Sequence, residues 1–116
     1  MEKFLDRFLN YVKKNTRSDA AKAGVVIPST PSQMEFLHEL SEELKQIGLV
    51  DVKINPKNAF LSATLPANLT VDADNVPVIG FIAHVDTADF NAKNISPQIH
   101  EDYDGRDIIL GDSGFV

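Results

Sequence analysis

Cysteine is absent from these 116 residues. That removes disulfides, thiolate nucleophiles and Cys-type zinc sites in one step, so any metal has to be held by His, Asp or Glu. Basic residues are outnumbered: 11 Lys and Arg stand against 17 Asp and Glu, for a formal charge of −6. With no basic stripe to track a phosphate backbone, nucleic acid is not an expected partner. Long apolar runs are missing too. The longest nearly apolar stretch, Val76 to Ala83, is far too short to span a bilayer. The charges in MEKFLDRFLNYVKK interrupt any signal-peptide apolar region. The expectation is a cytoplasmic chain with no membrane partner. H-E-x-x-H, G-x-S-x-G and a Gly-rich phosphate loop are also absent, and Gly111-Asp112-Ser113-Gly114 is too short for a phosphate cradle.

What is present reads as helix, helix, then strands. Phe4, Leu5, Phe8, Leu9 and Val12 make one apolar stripe, which predicts a helix from Glu2 to Lys14. Asn15 to Ser29 is a long connection without apolar periodicity, and such connections are usually functional or mobile. A second helix begins at Thr30-Pro31, where Thr30 and Gln33 form a T-x-x-Q capping box and Pro31 fits the first helical position. Its predicted buried stripe is Met34, Leu37, Leu40, Leu44 and Ile47; Glu35, Glu39, Glu42 and Glu43 read as a solvated face, and Gly48 as the C-terminal cap.

After Gly48 the period changes from 3.6 to 2. Val50, Val52 and Ile54 alternate with polar residues, Pro56-Lys57-Asn58 turns the chain, and Phe60 to Leu65 is a second strand. A polar loop, Ala67 to Asn75, leads into Val76 to Ala83. That run is β-branched and continuously apolar, the pattern of a strand buried on both faces, with Pro77 at its beginning. Ile99 and Ile108 to Leu110 are further strand pieces around a turn at Asp104-Gly105. A central strand buried on both faces needs helices on both sides, and two helices cannot cover both faces of a sheet of four or more strands. The fold class is therefore α/β, with two helices followed by strands of a mixed sheet, incomplete as a domain.

The residues with chemistry are His84-Val85-Asp86-Thr87, at the end of the apolar run. Ligands in open α/β sheets gather at the carboxyl ends of strands, and residues two apart on an extended backbone project to one side. His84 can offer a neutral nitrogen to a metal, and Asp86 can orient its imidazole. Zinc suits such ligands. His100-Glu101-Asp102 repeats the spacing, but no apolar strand leads into it. His38 and Glu42 are one helical turn apart and read as a solvated pair.

Several segments together resemble peptidase T. Tyr11-Val12 with Thr16 and Ser18 is similar to that family's first helix and following loop, and Pro28-Ser29-Thr30 with Gln33 to the entry of its second helix. Ala63-Thr64-Leu65-Pro66-Ala67-Asn68 resembles another of its segments, and Gly80-Phe81-Ile82-Ala83-His84-Val85-Asp86-Thr87 its first metal-binding motif. Asn94, Pro97-Gln98-Ile99, Tyr103, Gly105, Asp107-Ile108 and Leu110 continue the likeness. The resemblance implies a tripeptide aminopeptidase with two zinc ions, acting on small peptides, in which residues 1–116 are the N-terminal segment of the catalytic domain. The rest of that domain and a smaller inserted domain would follow. It implies that His84 ligates one zinc, that Asp86 is the catalytic carboxylate behind it, and that a water activated by both metals attacks the scissile carbonyl. The family's bridging aspartate, general-base glutamate and other ligands have no counterpart here, so the segment alone is expected to be inactive and unable to hold a zinc pair. Exposed sheet surface would favour self-association of the segment. The competing readings are a related zinc dipeptidase, carboxypeptidase or aminoacylase-type hydrolase, and a non-catalytic binding module with a fortuitous His-x-Asp.

Overall fold

A computed structural model describes residues 2–68 and 75–111. The order is α1 (Glu2–Tyr11), a 3-10 turn (Ala20–Lys22), α2 (Pro31–Ile47), β1 (Val50–Asn55) and β2 (Phe60–Thr64). The arrangement is α/β and open. The radius of gyration is 18.5 Å, against roughly 13 Å for a close-packed domain of this length.

α1 ends three residues earlier than its apolar stripe predicts. Lys13 and Lys14 donate to Asn10 and Tyr11, three residues back, so the last turn tightens and the helix stops. Much of the stripe is uncovered: Phe4 is 72% and Phe8 54% exposed, while Leu9 and Val12 are half-buried. α1 is held instead through the acidic face of α2. The edge of the Tyr11 ring meets Phe36 at 5.4 Å between centroids, the Tyr11 hydroxyl donates to Glu43 at 2.5 Å, and Arg7 and Lys14 pair with Glu43 and Glu39. Two of the four glutamates expected on a solvated face therefore carry a helix contact. An open groove of about 670 Å³ runs between the two helices.

α2 spans the predicted residues and stops at Gly48 as predicted. Gly48 has φ 103°, a left-handed conformation that favours glycine. Leu49 donates back to the Leu44 carbonyl at 3.0 Å, which closes a Schellman cap. The start differs from the expected capping box, because the Thr30 side chain makes no cap bond to the helix. It donates instead to the Arg17 carbonyl at 2.8 Å. The buried face is also rotated from the predicted stripe. On α2, Phe36 and Leu37 are the buried apolar residues, Gln33 and Ser41 are buried beside them, Met34, Leu40 and Leu44 are half-buried, and Ile47 is exposed. The rotation arises because this face serves both the hairpin and the loop that follows α1.

β1 and β2 pair antiparallel, with Ile54 opposite Leu61 and Asn55 opposite Phe60. The register slips between Val50 and Lys53, where Asp51 takes φ 52°, a one-residue bulge. Val52, Ile54, Leu61 and Ala63 form the half-buried face toward α2.

The run from Val76 to Ala83 departs most from expectation. It forms no ladder, and both faces are open to water: Val78 is 100% and Phe81 93% exposed. A strand with this composition is buried only when sheet and helices lie on both sides, and among the described residues neither the β1–β2 pair nor a helix covers this run. Ile99 and Ile108 to Leu110 likewise join no strand. Much of the polar loop before this run, residues 69–74, and the Gly111-Asp112-Ser113-Gly114 segment beyond its first residue lie outside the described residues. No helix among the described residues is long and apolar enough to cross a membrane.

Candidate functional site

The site is assembled by a meeting of two segments far apart in sequence. Thr16 to Ser18 runs parallel to Asp86-Thr87, bridged at Arg17 and Thr87. Ser18 N donates to the Thr87 carbonyl at 2.9 Å, and Thr87 N to the Thr16 carbonyl at 3.0 Å. The long connection after α1, which the sequence left open between a functional and a plain loop, is thus fastened to the His-x-Asp motif. α2 holds it from the other side. The buried Gln33 amide donates to the carbonyls of Thr16 at 3.3 Å and Arg17 at 3.2 Å.

The bridge places Ser18 against Asp86. The Ser18 hydroxyl donates to Oδ2 of Asp86 at 2.7 Å. The other carboxylate oxygen, Oδ1, lies 3.1 Å from Nδ1 of His84, and the Asp86 carbonyl lies 3.0 Å from the same nitrogen. Both neighbours of Nδ1 are acceptors only, so Nδ1 carries a proton, and in the neutral tautomer the Nε2 lone pair lies on the far side of the ring. The His84 side chain is 84% exposed, which leaves that lone pair accessible. The Asp86 carboxyl is held below its ordinary range chiefly by the Ser18 hydroxyl; partial burial pushes the other way, and the His84 ring adds to the lowering. His84 and Asp86 are therefore brought together as their spacing predicts.

A second carboxylate completes the fastening. Asp89 accepts from Arg17 and from the amide of Ala20 at 3.1 Å. Ser18, Gln33 and Asp89 had no part in the chemistry read from the sequence. Gln33 carried a usable signal, since a polar residue in register with Leu37, Leu40 and Leu44 marks a buried polar group that needs partners. Ser18 and Asp89 had none beyond their place in polar loops.

The alternative histidines stand apart. His100 is exposed and makes no hydrogen bond to Asp102; the neighbouring turn is closed locally by Asp104 accepting from Arg106 N at 3.1 Å. His38 is exposed and does not pair with Glu42, which binds Lys45 at 2.6 Å instead.

The donor set suits zinc as far as it goes. An imidazole with a carboxylate on one nitrogen and a free lone pair on the other is the usual form of a zinc-ligating histidine. It is one ligand only. Among the described residues no three or more His, Cys, Asp or Glu side chains cluster so as to hold a metal.

No family model matches the chain. Curated relatives do. It is 52% identical over 112 residues to Peptidase T of Limosilactobacillus fermentum, and 58% identical over 105 residues to Peptidase T of Fusobacterium nucleatum subsp. nucleatum. It is 53% identical over 108 residues to Peptidase T of Enterococcus faecalis. These matches cover 96%, 90% and 93% of this chain, but only 26%, 24% and 25% of the three relatives. By sequence, then, the chain is related over nearly all its length to peptidase T, and it spans about a quarter of the length of those proteins.

Proposed function

We propose that these residues supply one imidazole ligand and its orienting carboxylate to the two-zinc site of a cytoplasmic aminopeptidase, which releases the N-terminal residue from tripeptides. Residues 1–116 are the first part of its catalytic domain. The observation that carries the reading is the His84–Asp86 pair: Nδ1 is occupied by acceptors and Nε2 is free and exposed. The relatives' shared name supports peptide hydrolysis as the reaction class.

His84 would hold zinc through Nε2, and Asp86 would fix the ring in the tautomer that leaves Nε2 unprotonated. When bound, zinc supplies Lewis-acid activation of a peptide carbonyl and of water. Asp86 keeps its charge because Ser18 and His84 both donate to it.

The test is zinc content and tripeptide hydrolysis of the full-length protein with His84→Ala or His100→Ala. We expect His84→Ala to lose one zinc and nearly all activity, with His100→Ala close to wild type. A larger loss in His100→Ala would assign the site to the other triplet.

A further inference from the structure

We propose that Ser18 is a positioning residue of this site: its hydroxyl fixes the Asp86 carboxylate so that Oδ1 faces Nδ1 of His84. The inference rests on the reading of His84 as a zinc ligand, and it extends the site to a loop residue from the other end of the sequence.

The geometry is a directed chain. The two Gln33 Nε2 protons are shared among the carbonyls of Thr16 and Arg17 and the hydroxyl oxygens of Ser18, at 3.4 Å, and Ser29, at 3.5 Å, and an amide nitrogen can only donate. The Ser18 hydroxyl proton is then free for Asp86 Oδ2 at 2.7 Å. With Oδ2 engaged, Oδ1 is left to His84 Nδ1 at 3.1 Å. A carboxylate on a short side chain can rotate about its last bond, and a single contact to His84 would not define that rotation. A second donor on the opposite oxygen does. Ser18 is itself placed by backbone bonds, through its amide to Thr87 and through the Gln33 bonds to the carbonyls of Thr16 and Arg17. Thr16 and Gln33 are both buried, 3% and 7% exposed, so the support of the chain is its least accessible part while His84 stays open to water. Sites need such supporting bonds to hold ligands in a productive orientation.

The test compares Ser18→Ala and Ser18→Thr in the full-length protein. The first readout is the pair of ¹⁵N shifts of the His84 ring in metal-free protein, which report the tautomer and the Nδ1 hydrogen bond. The second is zinc affinity by chelator competition. The third is kcat and KM for a tripeptide. Bonds behind a metal ligand typically change affinity or activity by about 10–100-fold, and we expect Ser18→Ala to fall at the lower end, about tenfold. The loss should lie in kcat and zinc affinity with KM unchanged. The Nδ1 shift should move toward that of an unconstrained ring, and Ser18→Thr, which keeps the hydroxyl, should restore all three readouts. Wild-type ring shifts and zinc affinity in a folded Ser18→Ala protein would overturn the proposal. So would a change in KM alone, which would put the hydroxyl on the substrate. If Ser18→Ala does not fold, Ser18→Cys, whose thiol is a weak donor, carries the same two outcomes. The ring shifts are read without metal, so they judge the Ser18 contact even if His84→Ala were to keep its zinc and sink the reading of the site itself.

Discussion

Arg17 grips Asp89 through two nitrogens on one oxygen, Nε at 2.6 Å and Nη2 at 2.5 Å from Oδ1. The remaining oxygen accepts from Ala20 N. The Asp89 carboxyl is held below its ordinary value first by the Ala20 amide and then by Arg17. Because the folded value is depressed, the contribution of this clamp is complete above the unfolded carboxylate range. It is lost only as pH falls through the lower, folded value. The Asp89 carboxyl ¹³C shift and the Ala20 amide shift should therefore titrate together, with a midpoint below that of an unstructured aspartate. Asp89→Asn should remove the acid transition and speed amide exchange at Ser18 and Thr87. A midpoint at or above the ordinary value would show that the clamp does not form in solution.

The joint between α1 and α2 makes an alkaline prediction. The Tyr11 hydroxyl is pushed up to about 12 from 10.0, by burial first and then by its bond to Glu43 and that carboxylate's charge, with Arg7 opposing. A raised folded value means stability that is complete below about pH 10 and lost as pH rises toward 12. Tyr11→Phe keeps the ring edge on Phe36 and removes the hydrogen bond, so it should cost about 0.5–1.5 kcal/mol at neutral pH. It should also flatten the decline above pH 10. Denaturant melts of both proteins across this range give the answer. Equal alkaline slopes would mean that Tyr11 is not held against Glu43.

Local chemistry is what the sequence made legible. Gly48 ends α2 because a left-handed cap needs no partner outside the helix end, and the alternation of Val50, Val52 and Ile54 with polar residues marks β1 because period 2 is a property of the strand itself. His84 and Asp86 meet because they are two residues apart. Tertiary placement was not legible in the same way. Phe4 and Phe8 have a helical stripe but nothing described to cover it, and Val76 to Ala83 has the composition of a central strand without neighbours. The Thr30–Gln33 pair shows a subtler failure. Its spacing satisfies a capping box, yet the Thr30 hydroxyl turns to the Arg17 carbonyl and the Gln33 amide to those of Thr16 and Arg17, where backbone acceptors of the loop compete for them. Ser18 was beyond reach because its partner is Asp86, and no local pattern encodes a contact over that separation.

Ligand number gives the prediction for residues 1–116 expressed alone. Zinc takes three or four protein ligands, and two ions share more. The described residues offer His84 and no cluster around it. We expect weak binding of a single zinc at His84, no zinc pair surviving dialysis against a mild chelator, and no hydrolysis of tripeptides. Two equivalents retained after dialysis would require ligands beyond those identified, and would sink the view that this segment contributes a single ligand.

The same 116 residues should associate with one another. Val78, Ile79, Phe81 and Ile82 lie in one short run and are all exposed, and Phe4 and Phe8 add apolar surface on α1. The residues around Val78 and Phe81 pair with no strand, so their backbone donors and acceptors are open to edge pairing. Exposed apolar patches beyond a few hundred Å² seldom stay in water. Among the described residues the buried apolar core consists of Phe36 and Leu37, a small reserve against the entropy of ordering the chain, so association and folding should be coupled. Light scattering over a concentration series should show mass rising with concentration, and the melting midpoint should rise with it. Phe81→Lys, which places a charge in the middle of the run, should shift the equilibrium toward monomer without touching α2 or the hairpin. A monomer at every concentration, with cooperative unfolding independent of concentration, would mean that the apolar run finds cover within its own chain, and that the open arrangement is not the one adopted in solution.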